Sequence, residues 1–297
     1  MKKRISLLSS TIVLALTTLL ANYALAETNQ QQTSVWKVSK TIKGKEQVVF
    51  FGGTIHLLRA SDYPLPKQFD IAYQQADELF FEVDLEEATS QSAQIKMMQG
   101  LMLKNGETIQ DKISKENYDT LESYLTKVGM PIEQMKLFTP EGLSLILSSQ
   151  AIVALGFTPQ GVDQFYNDLA KKDGKKLGFL ETLDEQIAFI TNMQADANKI
   201  MQYTFRDIDN LKNIMDGMVK SWREGTQIKA IVEEMKNDFP QIYQSLIVTR
   251  NNNWIDLLEL QFLDDETEFV LVGVGHLTGE DSVLSILEAK GYLVEQL

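Results

Sequence analysis

The chain has 297 residues, no cysteine, two histidines and a formal net charge of −13. That length holds one large core, or a core with an inserted lobe. Without cysteine there is no disulfide and no thiolate metal site, so any metal must be held by His, Asp or Glu. The acidic balance argues against nucleic acid and anionic membrane as partners.

Residues 1–26 have the grammar of an export signal: Lys2, Lys3 and Arg4, an apolar run from Ile5 to Leu20, then Ala24-Leu25-Ala26 as a cleavage site. The mature chain is expected to begin at Glu27 and to form a single domain over 27–297. Removing the three basic residues of the leader takes the net charge from −13 to about −16. With no cysteine beside the cleavage site, no lipid anchor follows, and no later segment is long enough to span a bilayer. The expected location is the periplasm, with secretion as the alternative.

Val35 to Ser39 and Gln47 to Phe51 read as a hairpin around Lys43-Gly44-Lys45, and its second strand runs into Gly52-Gly53-Thr54-Ile55-His56. Residues 66–76 fit a helix. Residues 78–84 form an apolar strand that contains Glu82, and a carboxylate in such a run is costly unless paired or turned to solvent. From Ala88 to about Leu155 the pattern is helical. Gly161-Val162-Asp163 opens another helix, where Asp163 serves either as a helix-end charge or as a site residue. A short strand at 176–180 delivers Glu181.

Residues 184–262 are helical again. Their last helix carries Arg250 and Asn251 ahead of Trp254, with three successive asparagines that weaken a helix interior. Arg250 is either a surface ion pair or a group that binds a substrate carboxylate. Glu268 to Val274 is an apolar strand closed by glycines, and His276 follows in the loop before a helix at 281–290. A final short strand covers 292–294. The fold class is α/β: a mixed central sheet built from both chain ends, flanked by helices, with a helical middle over about 88–262.

The two histidines share one local grammar. Gly53 to His56 and Gly273 to His276 are both Gly-x-x-His-Leu segments directly after a strand, about 220 residues apart. A lone histidine in such a place is usually structural; two of two point to a shared site at the carboxyl edge of a sheet. Two neutral imidazoles and a carboxylate make a common ligand set for a catalytic divalent ion, with a second carboxylate to take a proton from water. His56, His276 and Glu82 are the expected ligands. Glu82 and Glu181 share the ligand and base roles in an order the sequence leaves open, and without a cation between them they would repel.

In order, Gly53-x-x-His56, Glu82, Gly161-x-Asp163, Leu180-Glu181-Thr182, Arg250-Asn251-x-x-Trp254 and Gly273-x-x-His276-Leu277-x-Gly279 resemble the TraB/GumN family, which includes the Tiki metal-dependent proteases. The resemblance runs from about Val35 to Val294. It implies a sheet with flanking helices, akin to the erythromycin-esterase-like hydrolases. It also implies a site with Glu82, Glu181 and Arg250 as catalytic groups and Asp163, Arg250 and Asn251 facing substrate. The expected activity is hydrolysis of a peptide or other small molecule with a divalent ion, Mn²⁺, Zn²⁺ or Co²⁺. Two other readings stay open: a non-catalytic envelope binding protein, and a metal-free esterase-like hydrolase.

Overall fold

A computed structural model describes residues 32–226 and 228–297, so the expected leader lies outside the described residues. Six strands form one mixed sheet: β1 (Val35–Ile42), β2 (Lys45–Thr54), β3 (Glu78–Phe81), β4 (Lys176–Phe179), β5 (Glu268–Gly273) and β6 (Leu293–Gln296), in the order β4-β3-β5-β2-β1-β6. The hairpin of β1 and β2 closes through Lys43 and Gly44, both at positive φ (53° and 84°), which suits a tight two-residue turn. Strand β6 returns antiparallel to β1, and β5 inserts between β2 and β3, so both chain ends meet in the sheet as expected.

β4, β3, β5 and β2 run parallel and side by side. Parallel strands are covered on both faces, which is why β5 reads as a continuous apolar run. Phe50, Leu79, Phe81, Phe269 and Leu271 pack on one side with Phe69, Tyr166 and Trp222. Val49, Phe51, Phe80, Val270 and Val272 pack on the other with Trp254, Leu258 and Leu287. Each fully buried side chain of this size contributes about 1.5–3 kcal/mol, so these two layers fix the sheet and hence the spacing of its strand ends. A third cluster, with Leu121, Leu125, Leu143, Leu147 and Met201, belongs to the helical middle. Among the described residues no helix is long and apolar enough to cross a membrane.

The strand expected over 78–84 stops at Phe81. Val83 turns away into a separate cluster with Ala93, Leu183 and Ile187, and Asp84 caps the helix Leu85–Ala88 by accepting from the Glu86 and Glu87 N–H groups. Glu82 therefore lies just past the strand, at the sheet's carboxyl edge.

At the opposite edge, Glu268 is 1% exposed, and its Oε2 has no hydrogen-bond partner among the described residues. It sits in register with Glu78 of β3. Burial, followed by the Asp264 carboxylate, with Glu78 and Glu266 adding to it, pushes Glu268 up to about 8 from an ordinary value of 4.5. Between those two pH values the folded chain binds the proton more tightly than the unfolded chain, so this residue's contribution to stability falls as pH rises through that window. Glu268→Gln is expected to raise the melting temperature more at pH 9 than at pH 5. Parallel melting curves for wild type and variant across this range would remove Glu268 as the titrating group.

Candidate active site

Four adjacent parallel strands each deliver one ionisable residue just beyond their carboxyl ends: Glu181 after β4, Glu82 after β3, His276 after β5 and His56 after β2. This edge is where α/β sheets usually carry ligands and chemistry. Pairing persists past the strands, as the Glu181 N–H donates to the Glu82 carbonyl at 2.9 Å, which holds the two glutamates side by side. Gly273 leaves the space in the middle. A Cβ there would come within 3.2 Å of Glu82 Oε1, 3.6 Å of His276 Cδ2 and 3.8 Å of His56 Nε2. All three groups thus surround one point, and the two rings are less than twice the longest of these distances apart.

His56 is the accessible member, with a side chain 62% exposed and Nδ1 3.1 Å from Asp163 Oδ1. Asp163 lies in the first turn of the helix Val162–Asp173. That helix can approach because Gly161 has no side chain: a Cβ would fall 2.3 Å from the His56 carbonyl. The Asp163 charge raises His56 above its usual range, and the solvent around the ring screens that effect.

His276 is buried, with a side chain 6% exposed, in a 3₁₀ turn (Val274–Leu277). Its ring lies 4.6 Å from the Trp254 ring, centroid to centroid. Burial, against the charge of Glu82 and with help from Arg250, lowers its pKa to about 3, so the ring is neutral near pH 7. Which nitrogen keeps the proton follows from Asn251. The Asn251 amide nitrogen donates to the Asp281 carbonyl at 2.7 Å, which turns its oxygen towards His276 Nδ1 at 2.7 Å. Nδ1 is therefore the donor, and the Nε2 lone pair faces the centre of the site.

Asn251 itself is fully buried. Asn251→Leu would leave the Nδ1–H and the Asp281 carbonyl without this partner, at about 1–3 kcal/mol for each buried group. Urea unfolding of the variant checks this, and a loss below about 0.5 kcal/mol, the range of a neutral surface change, contradicts it.

Arg250 lies at the heart of the cluster and is 7% exposed. Its Nε and Nη2 donate to the two oxygens of Glu181 at 3.0 and 2.7 Å, Nη2 also donates to Glu82 Oε2 at 2.5 Å, and Nη1 approaches His276 Nε2 at 3.1 Å. Glu82 Oε1 accepts from the Gly273 N–H at 2.7 Å, and Glu181 Oε2 accepts from Trp254 Nε1 at 3.1 Å. Burial alone would raise Glu82; Arg250, the two imidazoles and the Gly273 N–H outweigh it and hold the carboxyl well below the usual range. Glu181 is raised, because burial there exceeds the pull of Arg250.

The helix Arg250–Leu260 that carries this arginine is preceded by a π-turn over Gln244–Thr249, which the sequence pattern had not revealed. Arg250, Asn251, Trp254, Ile255 and Leu258 form its buried face, so Asn251 is tolerated through tertiary partners, while the exposed Asn252 donates back to the Val248 carbonyl. Trp254 is the site residue that residue chemistry left without a role; its spacing, one helical turn from Arg250, is the signal that places it on the same face.

His56, His276, Glu82, Glu181, Arg250, Asn251 and Asp163 are thus brought into one cluster. In this arrangement Arg250 and Asn251 have their polar atoms engaged by protein groups rather than turned to solvent. The donor set, His56 Nε2, His276 Nε2 and Glu82, has the chemistry to hold a divalent ion, and the space before Gly273 lies among them. Among the described residues, however, no three His, Asp or Glu side chains already stand in coordinating positions, and Arg250 covers two of the three donors.

The arrangement defines an α/β protein whose polar site is built at the carboxyl edge of its parallel strands. Residues 34–296 match the TraB/PrgY/gumN family, and the chain belongs to that family. It is similar to Metalloprotease TIKI2 of Danio rerio, at 26% identity over 300 residues, covering 82% of this chain and 57% of that protein. It is also similar to Metalloprotease TIKI1 of Xenopus tropicalis, at 23% identity over 325 residues, covering 89% of this chain and 62% of that protein. The match thus spans about three fifths of the length of these relatives. No solved structure matches the chain.

Proposed function

We propose that this protein is an exported, metal-dependent hydrolase that cleaves peptides in the cell envelope. The observation that carries the reading is the convergence of His56 Nε2, His276 and Glu82 Oε1 around Gly273, at the carboxyl ends of adjacent parallel strands. The resemblance to two metalloproteases supports it. A divalent ion held by His56, His276 and Glu82 would supply a water of lowered pKa and polarise a substrate carbonyl.

The chain's own residues perform the rest. Asp163 orients the exposed His56 ring, on the side from which solvent and substrate enter. Asn251 keeps the His276 proton on Nδ1 and so keeps Nε2 as an acceptor. Glu82, ionised and held by the Gly273 N–H, is the carboxylate placed to serve the ion as its anionic ligand. Export follows from the Lys2-Lys3-Arg4 start and the Ala24-Leu25-Ala26 site.

The engagement of Glu82 and His276 by Arg250 favours one second reading, a binding protein that holds a peptide or small ligand without turning it over. The two are separated by incubating the purified protein with a peptide library, with and without chelator. Cleavage that is lost on chelation and restored by Mn²⁺, Zn²⁺ or Co²⁺ is the expected result. Absence of bound ion together with absence of any cleavage refutes the hydrolase reading and leaves the binding protein.

A further inference from the structure

The Arg250 guanidinium is held unequally on its two sides. Towards Glu181 it presents a fork, Nε to Oε2 and Nη2 to Oε1, and the Glu181 side chain is only 3% exposed. Trp254 Nε1 supports the same carboxylate, and the guanidinium carbon lies 4.9 Å from the centre of the Trp254 ring. Towards the histidines the contacts are single: Nη2 to Glu82 Oε2 and Nη1 to His276 Nε2. The other oxygen of Glu82 faces the Gly273 N–H, and the other nitrogen of His276 faces Asn251. Arg250 thus covers His276 Nε2 and Glu82 Oε2, while Glu82 Oε1 lies 3.8 Å from His276 Nε2 and accepts from the Gly273 N–H.

We propose that Arg250 is a resident counter-cation of the site. A divalent ion enters by displacing its Nη groups from Glu82 and His276, while the fork on Glu181 keeps the arginine in place. The proposal rests on the reading of this cluster as a metal centre.

Two physical points carry it. A guanidinium does not lose its proton in a protein, so its charge leaves Glu82 only if the group moves. Movement does not strand a buried charge, because Glu181 and the Trp254 ring remain as partners. The two glutamates then have different tasks. Glu181 is the positioning residue that anchors the arginine, and Glu82 is the carboxylate that changes partner.

The test is titration of chelator-treated protein with Zn²⁺ and Co²⁺ by calorimetry, for wild type, Arg250→Gln and Arg250→Lys. Removing the competing cation is expected to tighten binding about tenfold or more in Arg250→Gln, within the usual range of coupling between sites. Added ion should also raise the melting temperature of Arg250→Gln further than that of wild type. Arg250→Lys, which keeps the charge without the fork, should fall between the two. Binding by Arg250→Gln that equals or trails wild type means the arginine merely organises the carboxylates, and the proposal is overturned.

If Arg250→Gln does not fold, the ¹⁵N–¹H signals of the wild-type guanidinium decide. On Zn²⁺ saturation the Nη signals should move while Nε, facing Glu181, stays; unmoved Nη signals reject displacement. Failure of both proteins to bind any ion overturns the metal-centre reading along with the proposal, whereas ordinary wild-type binding with no gain in Arg250→Gln overturns the proposal alone.

Discussion

Arg250→Ala is expected to lower the stability of the metal-free protein by about 3–5 kcal/mol near neutral pH, the usual loss when one partner of a buried ion pair is removed. Arg250 is 7% exposed, and its removal leaves Glu82 and Glu181 side by side with no cation between them. The loss should shrink as pH falls towards 5. Without the arginine the two carboxylates repel and take up protons more readily in the folded state, so acid relieves the penalty in the variant. Combining Arg250→Met with Glu181→Leu should recover part of the loss, since one buried carboxylate, Glu82, is then left without its cation instead of two. Urea unfolding at pH 7 and pH 5 measures all three effects. An Arg250→Ala variant as stable as wild type at pH 7 would show that the guanidinium is not the cation that holds these carboxylates in the fold.

The same contacts reverse the sign that residue types alone suggest for neutralising either glutamate. Two nearby carboxylates suggest mutual repulsion, and hence stability gained on neutralising one; a guanidinium between them makes the same substitution a loss. The sequence could not show this, because Arg250 lies 69 residues from Glu181 and 168 from Glu82. Only side-chain direction at the end of the π-turn brings its fork onto one and a single nitrogen onto the other.

The histidines were easier to find. A shared Gly-x-x-His segment after an apolar run is a local signal, and both glycines perform a local task beside parallel strands. Glu82 was legible as a carboxylate in an apolar run, but the end of its strand was not. Val83 continues the apolar pattern while packing with Ala93 and Ile187 outside the sheet, and hydrophobicity alone does not separate those two destinations. The meeting of the chain ends followed from their strand-rich patterns, whereas the pairing of β6 with β1 depends on register, which those patterns leave open.

Glu82→Gln should reduce peptide turnover by more than about tenfold, because the amide removes the anionic ligand that holds the ion beside His56 and His276. The amide preserves the shape of the group, and its oxygen can keep the 2.7 Å bond from the Gly273 N–H. Its nitrogen then faces Arg250 Nη2, where the carboxylate accepts at 2.5 Å, so a donor meets a donor and the arginine is pushed off that side. A second loss therefore accompanies the missing charge: the guanidinium no longer holds this edge of the site. Glu181→Gln separates the two effects. It weakens the fork to Arg250 and the bond from Trp254 while leaving the Glu82 charge in place beside His56 and His276. The expected outcome is an unstable but ion-binding Glu181→Gln protein that retains measurable turnover, beside a Glu82→Gln protein that has lost nearly all of it. Elemental analysis, melting with and without chelator, and turnover of the same peptide by each variant give the comparison. If Glu82→Gln stays within tenfold of wild type while Glu181→Gln is inactive, the assignment of the two glutamates is the reverse, and Glu181 is the carboxylate that serves the ion.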